Sequence, residues 1–343
     1  MRDLEDRHAT VTRDLVERAG RSATEGPWAS GAFAALAAHG VLADFLPTDC
    51  AGHGAGEATR LDWMALVARH CLTTALVLSQ WAAAVRLVAD ADPDTRRRLL
   101  PPLADGSRSI TVGISQLSTS RRHLAAAAVA ATCGADGWRI DGECPWVTGA
   151  DRSDTLVIGA VADDATQRFF AVDTAAAGVD VGPPLPLSAL GGSRTALVSL
   201  TGVRPAAVLT PPEGGVRAGG LATIALAVGA AWASIDRIAA EAVRRPALDP
   251  VAAAFRVQAE GVAATLRHAA EAGIAAAARD HLRACATGLV LRAAQAALVA
   301  SKGAGFVVGH PAERLQREAA FFLVWSCPQA VAEAVIGRLT EPD

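Results

Sequence analysis

The chain has 343 residues, 32 Lys+Arg against 35 Asp+Glu and a net charge of −3, with no tyrosine and a single lysine, Lys302. A tyrosine acid or base is therefore excluded, and a Schiff-base lysine or lysine-anchored cofactor is restricted to Lys302. The basic charge is almost all arginine and is scattered, which leaves no electrostatic footprint for nucleic acid. The length predicts two or three packed units, and a 51% hydrophobic fraction carried largely by alanine predicts a mostly helical chain.

In chain order, the charged N-terminus has no apolar secretory segment. Helices are predicted over 14–19, 33–45, 61–78, 81–89 and 93–103, separated by Pro47, the Gly-rich CAGHGAG and DADPD. From Ser109 the character changes to short runs rich in Val, Ile, Thr and aromatics: SITVGIS, LAAAAVAAT, GWRIDG, TLVIGAV, QRFFAVD, GVDVG and TALVSLTGV. After TPPEGGVRAGG the alanine-rich helical pattern returns to the end, broken near RRPALDP and SKGAGFVVGHP. The longest apolar stretch, Leu221 to Ile235, is shorter than the roughly 20 residues a bilayer needs, so it is expected to be a buried core helix and no membrane partner is expected. Six dispersed cysteines without CxxC read as reduced thiols in a cytoplasmic protein. The expected fold is α+β, mostly α, in three units: a helical domain over 1–108, a β domain over 109–212 and a helical bundle over 213–343.

This order, with local stretches across nearly the whole chain, resembles the acyl-CoA dehydrogenase family. GVLADFLPTDCAGHGAG and PDTRRRLLPPLADG look like segments of the family's first unit, and GISQLSTS like its first flavin-contacting loop. The most specific match is GWRIDGECPWVTGADRSDTLVIGA, which places Trp146 and Thr148 where the family lays a Trp on the flavin and offers a Thr hydroxyl to its N5 edge. KGAGFVVGHPAERLQREAAF resembles a segment of the last unit, with Arg314 and Arg317 in register. The resemblance implies a β-barrel-like middle domain, a C-terminal four-helix bundle, FAD (or FMN) as cofactor, a homodimer or homotetramer, and an acyl substrate on coenzyme A or a carrier protein. An electron-transfer flavoprotein or a flavin reductase is the implied redox partner.

The pattern breaks where the family keeps its base. Ser326 stands at the position of the usual catalytic glutamate, and the alternative carboxylate position falls on Ala218, Gly219 and Gly220. A serine hydroxyl is no free-standing base for an α-proton. Ser326, Cys327 and His310 are the candidate catalytic residues, although Ser326 and Pro328 also suit a helix start. The candidate cofactor contacts are Ser115, Gln116, Ser118, Thr119, Trp146, Thr148, Lys302 and Gly303, with Lys302 and Arg256 expected to replace a missing phosphate-binding arginine. His123 is a candidate contact for an anionic tail. His281 and Cys285 make a two-ligand pair at helical spacing, too few for a metal site, and none is expected. The missing bases leave three alternatives: an acyl-CoA dehydrogenase-like oxidoreductase, a two-component flavin monooxygenase on the same fold, and a non-catalytic member that binds an acyl ligand or a partner.

Overall fold

The computed structural model describes residues 7–14, 30–118, 127–211 and 220–340. The first helices are α1 (residues 7–14), α2 (Ser30–Ala38), α3 (Glu57–His70), α4 (Leu72–Ala89), α5 (Pro93–Leu99) and α6 (Pro101–Ala104). The predicted helix over 33–45 stops early: Gly40 takes φ +68°, and a 3-10 turn over Leu42–Phe45 follows. No break separates Leu78 from Trp81. Ser79 donates its hydroxyl back to the Leu76 carbonyl at 2.7 Å, so the polar Ser79–Gln80 pair is absorbed within α4. The break lies instead at Cys71, a single extended residue (φ −153°, ψ 101°) between α3 and α4. Asp92 starts α5 by accepting from the amides of Asp94 and Thr95, with Pro93 in the first turn. The Gly-rich turn after α2 is a packing device. A Cβ on Gly52 would lie 2.1 Å from the Leu46 carbonyl oxygen, and nearby the buried Asp44 carboxylate joins Trp63 Nε1 (2.7 Å), His53 Nδ1 (2.6 Å) and Arg7 (3.1 Å).

The strands are β1 (Ile110–Gly113), β2 (Val129–Gly134), β3 (Gly137–Val147), β4 (Thr155–Ala162), β5 (Gln167–Asp173), β6 (Val179–Pro184), β7 (Ala196–Val203) and β8 (Ala207–Leu209), with the one-turn helix α7 (Ser115–Ser118) after β1. They form one sheet in the order β6-β7-β3-β2-β4-β5-β8, with β1 added parallel to β4 in the register Val112 to Val157. Side chains alternate across it. Val157, Phe169 and Ala171 join the core shared with the helices, while Leu156, Ile158, Phe170 and Val172 join Ile140, Cys144 and Val198 in a second cluster on the other face.

The remaining helices are α8 (Leu221–Ala242), α9 (Asp249–Ala272), α10 (Ala276–Ser301), α11 (Pro311–Phe321) and α12 (Gln329–Thr340). The predicted breaks at RRPALDP and SKGAGFVVGHP fall between α8 and α9 and between α10 and α11; the separation of α9 from α10 at Gly273 (φ +79°) was not predicted. The apolar stretch Leu221–Ile235 lies inside α8, which packs against α3 and α10. The α3–α8 approach is close because Gly229 faces Ala65 and Ala68; a Cβ there would sit 2.2 Å from the Ala65 carbonyl oxygen. One hydrophobic core therefore runs from α2, α3 and α4 through β1 and β5 to α8, α10 and α11.

Candidate active site

A cavity of about 630 Å³ opens between α3, α4, the end of β1, the end of β3, the start of α8 and the segment after α11. Its β wall is carried by Trp146 and Thr148. The pairing of β3 with β7 shifts register between Cys144 and Val147, an irregularity that re-aims side chains, and Trp146 lies within it, 48% exposed despite its size. The Thr111 hydroxyl donates to the Thr148 carbonyl at 2.8 Å and fixes the strand end. The Thr148 hydroxyl meets that of Thr195 at 3.2 Å, and Thr195 meets Ser193 at 2.9 Å. Three buried hydroxyls thus form a chain that ends on the cavity, which Thr148 and Thr195 both line.

The opposite contribution comes from Phe321, the last residue of α11, and from Val324, Trp325 and Ser326 just past it. Phe321 stacks on Trp325 with ring centres 5.2 Å apart and planes at 15°, and Ser326 holds φ +47°. This segment is tied down by Arg283 of α10, which donates from Nη2 to the carbonyls of Phe322 and Trp325, each at 3.2 Å. Arg283 is wholly buried with its guanidinium over the Phe322 ring, and burial pulls its pKa down to about 10. Two helices close the cavity. Glu57, Arg60, Leu61 and Met64 face it from α3 at i, i+3, i+4 and i+7, and Leu76, Ser79, Ala83 and Arg86 from α4. Glu57, paired to Arg60 at 3.2 Å, is the one carboxylate among the described lining residues, and Arg279 enters from the first turn of α10.

No family model and no curated protein matches the chain. Solved structures do. The chain superposes on glutaryl-coenzyme A dehydrogenase in its glutaryl-CoA complex with a TM-score of 0.86 at 18% identity, covering 98% of this chain and 93% of that one. For butyryl-CoA dehydrogenase from Megasphaera elsdenii the TM-score is 0.82 at 15% identity, over 99% and 97% of the two chains. For KijD3 in complex with FMN and a dTDP-linked amino keto sugar it is 0.77 at 19% identity, over 100% and 94%. The chain has the acyl-CoA dehydrogenase fold.

On this acyl-CoA dehydrogenase-like framework, Ser115, Trp146, Thr148 and Ser326, far apart in sequence, come together on one cavity. Other candidates are placed elsewhere. The Gln116 side chain is buried and its amide donates to the carbonyls of Gly113 (3.0 Å) and Gly159 (2.7 Å), so it braces β1 against β4 instead of facing a cofactor. His310 precedes α11 and accepts the Ala312 amide at Nδ1 (3.1 Å); it caps a helix and is not in the cavity wall. Cys327 is half-buried beside Ala284 and Val331, outside the wall, and burial pushes its thiol pKa up, the wrong direction for a nucleophile. Lys302 and Gly303 lie on an exposed 3-10 turn after α10, with Lys302 at φ +54°, away from this cavity, and Arg256 is exposed on α9. Ser118 ends α7 outside the lining, while Thr119 and His123 lie outside the described residues. Arg314 approaches Glu318 (3.9 Å), and Arg317 pairs with Glu313 and donates to the Ser188 carbonyl at 2.5 Å. His281 Nε2 is 3.4 Å from Cys285 Sγ, and no group of three metal-ligating side chains occurs among the described residues.

Glu57, Arg60, Gln80, Arg86, Arg279 and Thr195 line the cavity without having been singled out in the sequence. The one available signal was spacing: Arg279 and Arg283 stand one turn apart on a helix otherwise rich in alanine.

Proposed function

We propose that the chain is a flavin-dependent oxidoreductase acting on an acyl thioester or a related small carbonyl compound, with FAD or the smaller FMN as cofactor. The observation that carries this is Trp146, a large apolar side chain left 48% exposed on the wall of a 630 Å³ cavity in a chain of acyl-CoA dehydrogenase fold. The residues present fit a flavin. Trp146 supplies a flat apolar wall, Thr148 and Thr195 supply hydroxyls that both donate and accept, and Ser115 adds a third hydroxyl at the end of β1. When bound, the flavin supplies a two-electron acceptor for hydride chemistry. The chain's own residues then orient it and shelter the substrate: Trp325 and Phe321 exclude water, and the Thr148–Thr195–Ser193 chain fixes hydroxyl orientation from a buried end. The substrate arrives on coenzyme A or a carrier protein, and electrons pass to an electron-transfer flavoprotein. A homodimer or homotetramer accords with the exposed apolar run Phe306, Val307 and Val308.

Ser326 on the cavity, with Glu57 already paired to Arg60, favours a second reading: a two-component monooxygenase fed by a flavin reductase, which needs no carboxylate base. Two measurements separate the readings. Anaerobic bleaching of the flavin by an acyl thioester supports dehydrogenation, and substrate-dependent oxygen uptake with supplied reduced flavin supports oxygenation. Protein that is colourless and takes up neither FAD nor FMN removes both and leaves a non-catalytic binding role.

A further inference from the structure

A second cavity, of about 330 Å³, lies where the first helices meet the sheet, between α5, α6 and the start of β1 on one side and the start of β4, the end of β5 and the segment before β8 on the other. It shares no lining residue with the cavity walled by Trp146, although β1 reaches both: Ile110 lines this one and Val112 the other. Its volume is at the lower end of the roughly 300–1,000 Å³ that small-molecule sites enclose. The floor is apolar, made by the buried side chains of Leu103, Ile110 and Ala171. Four charged side chains stand around it, and two of them satisfy each other. Arg108 Nη1 donates to one Asp154 oxygen at 3.3 Å, and the other oxygen accepts the Ser109 amide at 2.8 Å. The remaining two are left without a charge partner. Arg98, in the last turn of α5, donates to the Ala206 carbonyl at 3.1 Å and has no carboxylate partner among the described residues. Asp173, at the end of β5, accepts the Ala175 amide at 2.9 Å and has no cationic partner among them. One small cavity thus carries an uncompensated cation from a helix and an uncompensated anion from a strand, over an apolar floor.

A ligand with a single charge would be drawn to one of these side chains and repelled by the other, whereas a ligand carrying both signs gains from each. We propose that this cavity is a second ligand site, for a free α-amino acid with an apolar side chain: its carboxylate meets Arg98, its ammonium meets Asp173, and its side chain covers Leu103, Ile110 and Ala171. A guanidinium presents paired N–H donors that match a carboxylate, and an ammonium supplies three donors to a carboxylate that accepts one backbone amide. Arg98 and Asp173 are both exposed, so solvent screens each charge contact and the apolar floor must supply much of the affinity. The assignment stands whether or not the cavity walled by Trp146 holds a flavin.

Isothermal calorimetry on the full-length protein tests this with four probes: L-leucine; isocaproate, which is leucine without its ammonium; isoamylamine, which is leucine without its carboxylate; and glycine, which keeps both charges and lacks the side chain. The expected result is saturable one-to-one binding of leucine with a dissociation constant on the order of 0.1–1 mM, and binding at least about tenfold weaker for each of the other three. Arg98→Gln and Asp173→Asn are each expected to weaken leucine at least about fivefold, and because both side chains are exposed, both variants are expected to keep the parent's thermal melt. Absence of saturable leucine binding overturns the proposal, as does isocaproate, isoamylamine or glycine binding as tightly as leucine, or leucine affinity that is unchanged in either variant. The comparison of probes on the unaltered chain decides the matter even where a variant fails to fold. Flavin uptake is measured separately on the same protein. Leucine binding in protein that takes up no flavin keeps this site and removes the flavin reading, and flavin uptake without leucine binding does the reverse.

Discussion

The guanidinium of Arg283 donates to the backbone carbonyl of Trp325 at 3.2 Å from a side chain with no exposed surface. One buried cation on α10 thereby sets where the cavity's Trp325–Ser326 edge stands. Arg283→Met is expected to leave the melting temperature nearly unchanged, because the cost of desolvating a guanidinium with no carboxylate partner among the described residues offsets the donors it provides. Flavin or ligand affinity is expected to fall about tenfold, and Arg283→Lys to recover only part of it. Parallel thermal melts and flavin titrations check the split; a large stability loss with unchanged affinity would assign Arg283 to the core alone.

Trp146→Ala is expected to weaken flavin binding roughly tenfold without unfolding the chain, since nearly half of the side chain is already exposed, and Trp146→Phe to keep most of the affinity. Fluorescence quenching of added FAD and FMN measures both.

The Thr148 and Thr195 hydroxyls act as a coupled pair at 3.2 Å. Thr148→Val is expected to cost about 1 kcal/mol in flavin binding, Thr195→Val less, and the double variant less than their sum, because the second change removes a hydroxyl that has already lost the other member of the pair. A double-mutant cycle on flavin dissociation constants reads the coupling.

How much of this was legible in the chain itself can be judged residue by residue. Trp146 and Thr148 were legible because a short motif carries them, and the helix–strand–helix order because alanine-rich and β-branched stretches alternate only twice. The α3 and α4 walls were not. An i, i+3, i+4, i+7 stripe reads the same whether it faces core or cavity, so Arg60 and Arg86 look like ordinary solvated arginines until the helices are packed. His310 and Gln116 stand apart for a related reason: each has chemistry suited to a site, but the Ala312 amide engages His310 Nδ1, and the Gly113 and Gly159 carbonyls engage the Gln116 side-chain NH2. The lone lysine, conspicuous in composition, stands on an exposed turn apart from the cavity.

Acid lability should have a histidine component. Burial lowers the pKa of both His8 and His70 below the ordinary 6.5. The unfolded chain therefore takes up these protons first: their contribution to stability is intact above pH 6.5 and is lost as pH falls from 6.5 through the lowered folded values. His70→Gln is expected to make the loss of stability over that interval shallower, measured by urea unfolding at a series of pH values.

Gly229→Ala places a methyl group 2.2 Å from the Ala65 carbonyl oxygen, so α3 and α8 must separate. The expected cost is about 1–3 kcal/mol, read as a lower denaturation midpoint.

On the proposed reading, the cavity walled by Trp146 holds a flavin. The most direct measurement is the visible spectrum of the purified protein, followed by titration of the colourless fraction with FAD and FMN. Bands of a protein-bound flavin, or saturable one-to-one uptake that Trp146→Ala weakens, is the predicted result. Protein that stays colourless and binds neither nucleotide, or that binds one with an affinity indifferent to Trp146, would contradict it.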